Sequence, residues 1–177
     1  LALLNIDGDR EAALQVFNGS NAKSDWDVFL MGILNHDKES ELENALLSAQ
    51  WPSSSRKFVA PDLLLLLIND DRVRSREVEK VTESLGDRNT EWDSALSHFI
   101  AGRQPDPEKL IAAAKNDDAH GRMNLSRAYL ALGLDAMRRD DLDQTKNWLQ
   151  KCQEIRRPFE CFFASGILKM LEHSAKD

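Results

Sequence analysis

The stretch that decides the fold is YLALGLDAMRRDDLDQTKNWLQKCQEIRRP, residues 129–158. In it a charged turn at Asp140 is followed five positions later by a small residue, Thr145, and four positions after that by a large apolar residue, Leu149. Residues four apart lie on one face of a helix. The pattern therefore predicts a helix that begins straight after a tight turn and turns a small and a bulky side chain to the same side.

An earlier stretch, IDGDREAALQVF at residues 6–17, has the same spacing. Ala13 follows Gly8 by five positions and Phe17 follows Ala13 by four. Gly8 precedes Asp140 by 132 positions, close to four steps of about 33, and repeats of 20–50 residues are typical of stacked helical repeats. The spacing predicts a chain built from repeated helical hairpins.

The rest of the chain also predicts helices, because sustained period-two alternation and hairpin turns between β-branched runs are both missing from the sequence. The residue in the small-residue position recurs at steps of 29, 36, 32 and 35, which predicts five hairpins of irregular length; it falls at Ala13, Leu42, Val78, Leu110 and Thr145. An irregular all-α bundle with accidental periodicity is the alternative.

The predicted helices are joined by short loops, which favours antiparallel neighbours. Thr90 with Asp93 three positions on predicts a capping box, Pro107 predicts a first helical turn, and Gly102 predicts a helix end. The helices are predicted at residues 9–18, 24–35, 41–50, 61–69, 75–85, 91–101, 107–115, 119–138, 142–154 and 158–173, after a short helical tail at 1–5.

Residues 126–159 resemble a tetratricopeptide repeat, in which a large aromatic, a Leu-Gly pair, a small residue, a large apolar residue and a proline recur over 34 residues, and residues 8–17 resemble the second half of another. Two positions of 126–159 depart from the pattern: Ala136 stands where the family has a second aromatic, and Pro158 lies one residue late. The positions that match outright or by residue type are Tyr129, Leu132, Gly133, Thr145, Leu149 and Cys152. The resemblance implies an all-α, right-handed superhelix of about five hairpins with a C-terminal capping helix, forming one domain over residues 1–177.

Proteins of this family hold a peptide or a helix of another protein on their concave face, so the resemblance implies a non-catalytic interaction scaffold without a cofactor. Helical spacing then predicts the residues that line the concave face: Asp27, Met31, Asn35, Asp93, Ser97, Arg127, Leu130, Leu134 and Arg138. Asp27 and Asp93 disfavour a carboxylate ligand among these positions, whereas Arg127 and Arg138 are cations that would anchor one acidic residue.

Two other functions stay open at this point. The chain would also suit a regulatory or substrate-docking domain of a larger enzyme, or a structural oligomerisation unit that binds further copies of itself. The first residue is Leu1, not Met, and no charged leader precedes an apolar stretch, so we expect a fragment of a longer protein. A cytoplasmic location is favoured, but a truncated start leaves room for a signal that has been removed.

Composition argues against several other classes. The formal charge of −7 disfavours nucleic acid as a partner, and the longest apolar run, residues 63–68, is far shorter than the ~20 residues of a membrane helix. Cys152 and Cys161 are too few for a disulfide framework or a zinc site, and both are predicted to be buried and unbridged. The four histidines show no metal-binding spacing, and Ser165 lacks a nucleophile motif, so we expect neither a metal site nor catalysis.

Overall fold

The computed structural model describes residues 60–85, 90–104, 106–117 and 120–174. Within these ranges the chain is entirely helical between its turns, with no strand. A 3-10 helix, Ala60–Leu67, is followed by six α-helices: α1 Asp71–Leu85, α2 Glu91–Ile100, α3 Pro107–Asn116, α4 Gly121–Arg138, α5 Leu142–Glu154 and α6 Pro158–Ser174. The predicted all-α class is confirmed for this part of the chain, and the helices predicted before residue 60 lie outside it.

Several helix ends follow from local side chains that the sequence had indicated. Thr90 Oγ accepts the Asp93 N–H at 3.1 Å and the Asp93 carboxylate accepts the Thr90 N–H, so the capping box at the start of α2 is present. Pro107 opens α3, and Gly102 follows α2 with a φ of +71°, a left-handed conformation that favours glycine. These signals are local, which is why the sequence alone located them.

The predicted helix at 61–69 differs in type from the observed one, and the helix predicted at 75–85 begins earlier than expected. The 3-10 helix is followed by an Ile68 N–H to Leu65 carbonyl bond of 3.2 Å, and the chain then turns at once into α1. α1 begins at Asp71 because Asp70 Oδ1 accepts the N–H groups of Arg72 and Val73, at 2.8 and 3.2 Å. A capping aspartate satisfies exactly these otherwise unpaired donors.

Consecutive helices pack against each other along the described part of the chain, and α4 with α5 forms the most extensive contact. Gly133 explains the close approach of this pair: a Cβ there would lie 2.6 Å from Leu149 Cδ2. The rings of Tyr129 and Trp148 stack beside it, with centroids 6.0 Å apart. α6 packs on α5 and, to a smaller extent, on α4.

One contact departs from a strictly linear order, since the 3-10 helix packs against α4 rather than only against its sequence neighbours. In a simple linear array each hairpin contacts only the adjacent hairpins. The 3-10 helix is almost wholly apolar, and several of its leucines are buried within the same core as the α4 side chains. Burial of this run therefore brings together elements about 60 residues apart in the chain.

The two cysteines are free thiols in different environments. Cys152 is buried between α4 and α5, where its Sγ donates to the Ser126 carbonyl at 3.3 Å. Cys161 is only partly buried, and its Sγ lies 3.8 Å from the Gln153 carbonyl. The prediction of unbridged cysteines is confirmed, and the prediction that both are fully buried holds for Cys152 alone.

Candidate functional site

Three of the predicted concave-face residues, Asp27, Met31 and Asn35, lie outside the residues that the structure describes. The other six can be placed, and they do not form one continuous surface. The structure does not test whether any of them binds a partner, but their burial and bonding show which are available to do so.

Leu130 and Leu134 are in the hydrophobic core, each with 0% of its surface exposed. Helical spacing predicts that one face of α4 packs against its partner helix and that the opposite face, with Leu130 and Leu134, is open. In the structure α4 contacts α3, α5, α6 and the 3-10 helix, so it is surrounded on more than one side. The two leucines therefore contribute to packing and present no surface to a ligand in this structure.

Asp93 and Ser97 on α2 are both buried and both bonded within their own helix. The Asp93 carboxylate is held by the Thr90 N–H at 3.1 Å and by the Thr90 hydroxyl at 2.7 Å. The Ser97 hydroxyl donates to the Ser94 carbonyl at 2.9 Å. The sequence placed both residues on an open face, whereas the structure uses their polar groups to cap and brace α2.

Arg127 and Arg138 are both engaged in ion pairs. Arg127 Nε donates to Glu160 Oε1 of α6 at 3.2 Å, and Arg138 Nη2 donates to Asp135 Oδ1 at 2.7 Å. Both arginine side chains are less than one-fifth exposed. Each arginine is therefore already paired with a carboxylate of this chain, and whether either one also anchors an acidic residue of a partner stays a prediction.

A cleft of about 480 Å³ brings two of the predicted residues, Asp93 and Arg127, to one place. It lies where the first turn of α2, the last turn of α3 and the first half of α4 meet. Its lining combines apolar and polar side chains: Thr90, Glu91, Trp92, Asp93, Ala113, Asn116, Asp117, His120, Met123, Asn124 and Arg127. We call it the α2–α4 cleft, and it is the candidate functional site.

Asp117 organises the wall of the α2–α4 cleft between α3 and α4. Its Oδ2 accepts a hydrogen bond from Asn124 Nδ2 at 2.8 Å, and its Oδ1 accepts the His120 backbone N–H at 3.0 Å. The His120 ring nitrogen Nδ1 lies 3.6 Å from the same carboxylate. Asn124 is almost fully buried, so this network fixes the cleft wall and leaves the exposed His120 ring at its rim.

A second cleft of about 420 Å³ adjoins the first along α2 and α3. The two share Glu91, Ala113 and Asn116. The second is lined further by His98, Gln104, Lys109 and apolar residues that include Leu110. Because they share these lining residues, the two clefts adjoin each other along α2 and α3.

The charges around the α2–α4 cleft are predominantly negative. Glu91, Asp93 and Asp117 contribute three carboxylates, while the Arg127 charge is offset by Glu160. Glu91 is exposed and takes part in no ion pair among the described residues. An anionic ligand would be repelled here, whereas a cationic side chain would be attracted.

The described residues, 60–85, 90–104, 106–117 and 120–174, contain no group of three or more His, Cys, Asp or Glu side chains placed to hold a metal ion. Among the helices described, none is long and apolar enough to cross a membrane. Comparisons of the chain with family models, with curated proteins and with solved structures find no match.

Most residues of the α2–α4 cleft were not predicted from the sequence, among them Trp92, Asp117, Met123 and Asn124. One local signal pointed toward it, since Thr90 with Asp93 located the start of α2 and so places Trp92 in its first turn. That signal does not show that α2 and α4 line one cleft, because this depends on how α2, α3 and α4 pack.

Proposed function

We propose that this chain is a non-catalytic protein-interaction module that binds a segment of a partner protein in the α2–α4 cleft. The observation that carries the proposal is the cleft itself, which has mixed apolar and charged walls, lies at the junction of three helices and adjoins a second cleft along α2 and α3. Apolar walls supply affinity and a few fixed polar groups supply orientation in such sites. The wall residues Asp117 and Asn124 are already held in place by one another before a ligand binds.

The helix order is consistent with this proposal and with a degenerate stack of hairpins similar to tetratricopeptide repeats. Three observations support it: α2 packs on α3 and α4 on α5, α6 packs on α5, and at the α4–α5 contact Gly133 lies against Leu149 while Thr145 is buried. The proposed binding surface differs from the one expected from sequence, since Leu130 and Leu134 are buried and the cleft is formed by helix ends.

A peptide-display selection with the full chain as bait tests the proposal. Asn116 is exposed and borders both clefts, so Asn116→Trp should fill the depression with little effect on folding. Lys146 is exposed on α5 and borders neither cleft, so Lys146→Trp is the matched control. We expect selected peptides to lose at least about tenfold in affinity for the Asn116→Trp variant, a loss of about 1.4 kcal/mol.

The same peptides should bind the Lys146→Trp variant as tightly as the parent chain. Two results would overturn the proposal: a selection that yields no peptide with saturable binding, or peptides whose affinity is the same for the parent and the Asn116→Trp variant. Circular dichroism of both variants should match the parent, which confirms that a lost affinity reports on the cleft.

A further inference from the structure

Trp92 has a buried hydrogen-bond donor with no acceptor. Only 4% of the residue is exposed, and its indole Nε1 has no hydrogen-bond partner among the described residues. Buried tryptophan N–H groups usually find a partner, and a buried donor left unpaired is costly. Because Trp92 lines the α2–α4 cleft, a ligand in that cleft is a natural source of the missing acceptor.

Two carboxylates of the cleft wall are already bonded to other donors of this chain. Asp93 accepts from the Thr90 N–H and hydroxyl, and Asp117 accepts from Asn124 and from the His120 backbone. Neither carboxylate accepts from Trp92 Nε1 in this structure, so the indole donor is available to an acceptor that a ligand supplies.

The charge of the cleft distinguishes between kinds of acceptor. A carboxylate or phosphate would approach Glu91, Asp93 and Asp117, with Arg127 already neutralised by Glu160. A main-chain carbonyl is a neutral acceptor and avoids this repulsion. Glu91 at the exposed edge would in turn favour a Lys or Arg side chain on the same ligand.

We infer that the α2–α4 cleft binds an extended, basic segment of a partner protein, with a main-chain carbonyl of that segment accepting a hydrogen bond from Trp92 Nε1 and a Lys or Arg side chain pairing with Glu91. This inference rests on the proposed function and names the chemistry of the partner. Entry of the segment opens the cleft far enough for the enclosed N–H to reach its acceptor, with the flexible Met123 side chain in the lining as the group best able to move.

The test uses two synthetic peptide pools of matched Ala, Leu and Ser content, one with Lys and one with Glu at every third position. Titration into the ¹⁵N-labelled chain is followed by NMR at the indole N–H signals. The Trp92 signal is assigned by its absence in Trp92→Phe, and Trp148, which stacks on Tyr129 and does not line the cleft, is the internal control. We expect the basic pool to move the Trp92 signal downfield and to leave the Trp148 signal in place.

Affinities for the basic pool give the second readout. Trp92→Phe should weaken binding about fivefold, Glu91→Gln about twofold, and the matched control Trp148→Phe not at all. If Trp92→Phe fails to fold, the Trp92 indole signal is assigned in the parent chain by triple-resonance NMR, and its movement on addition of the basic pool then decides alone. A Glu pool that binds as well as the Lys pool, a stationary Trp92 signal, or no binding by either pool would each overturn the inference.

These failures are distinguishable from failure of the proposed function. Selected peptides whose affinity falls for the Asn116→Trp variant would support the proposed function. If the Trp92 signal stayed in place at the same time, only this inference would be overturned. A selection without cleft-dependent peptides would remove both.

Discussion

Leu149 on α5 fills the space next to Gly133 on α4: a Cβ on residue 133 would lie 2.6 Å from Leu149 Cδ2 and 2.8 Å from its Cγ. Real Cβ atoms do not approach so closely, and Leu149 is itself fully buried, so it has little room to move away. The small residue and the large one therefore form a single packing unit at the centre of the α4–α5 hairpin.

Gly133→Ala should lower the free energy of unfolding by about 1–3 kcal/mol, because overpacking outweighs the better helix propensity of alanine. Gly121→Ala is the matched control, since a Cβ there would meet the Ala114 and Lys115 carbonyl oxygens only at 3.4 Å. That control should be close to neutral or stabilising by up to about 1 kcal/mol. Equal destabilisation by both variants in urea melts would show that the close approach is not the cause.

The ion pair between Arg127 and Glu160 connects α4 to α6 in a largely buried setting. Glu160→Gln should cost about 1–3 kcal/mol in unfolding free energy, because it leaves the partly buried Arg127 guanidinium without this carboxylate. The comparison is Glu79→Gln, which removes an ion pair to Arg103 between two side chains that are each more than half exposed. That loss should be under about 1 kcal/mol, and chemical denaturation of both variants measures the difference.

Capping of α2 gives a third prediction. Thr90→Ala removes the hydroxyl that accepts the Asp93 N–H and should cost about 1 kcal/mol. Thr82 is the matched control, since its hydroxyl donates to the Val78 carbonyl within α1 and caps no helix end. Thr82→Ala should be nearly neutral, because alanine has the higher helix propensity. Thermal unfolding measures the Tm of each variant, and we expect a larger decrease for Thr90→Ala than for Thr82→Ala. An equal decrease in both would contradict the assignment of Thr90 as the cap of α2.

Burial raises the pKa of the Cys152 thiol from its ordinary value of 9.0 to about 12. The folded state therefore keeps Cys152 protonated where the unfolded state ionises it. The stabilising contribution is fully present below pH 9 and is lost as the pH rises from 9 toward 12, by up to about 1.4 kcal/mol for each pH unit. Urea melts at pH 8, 9.5 and 10.5 should show a steeper decline for the parent chain than for Cys152→Ala.

The same burial predicts selective alkylation. At pH 8 iodoacetamide should modify Cys161, which is partly exposed, and leave Cys152 unmodified until the chain unfolds. Peptide mass mapping after brief labelling checks this. Rapid modification of Cys152 under native conditions would show that the α4–α5 interface opens readily and would contradict the packing described for Ser126 and Gly133.

Part of the fold was predictable because its signals are short in range. Helices α3, α5 and α6 begin at the predicted residues, and the Thr90 capping box and the Gly102 helix end are present. The start of α1, predicted at Ser75 and observed at Asp71, has a local cause as well, because Asp70 caps the first turn by accepting the Arg72 and Val73 N–H groups. The 3-10 form of residues 60–67 was harder to predict, because a continuous apolar run has no periodicity that would distinguish one type of helix from another.

The candidate site was much less predictable. Periodicity assigned one buried and one open face to α4, and so placed Leu130 and Leu134 on a surface; the structure surrounds α4 with several elements, including the 3-10 helix. Arg127 and Arg138 are predicted to anchor an acidic residue, and the structure pairs both within the chain. The partner of Arg138 is Asp135, three positions away on α4, whereas that of Arg127 is Glu160, 33 residues along the chain, which only the packing of α6 reveals.

The sequence by itself determined the helical class of the described residues, most of the helix boundaries and the close-packed glycine at position 133, because caps, breakers and spacing act within one or two helical turns. Only the tertiary structure decided which faces are covered, which charges pair between different helices and where the cleft lies. These properties depend on contacts between residues far apart in the chain, such as Trp92 on α2 and Asn124 on α4, which line one cleft only because α3 folds back between their helices.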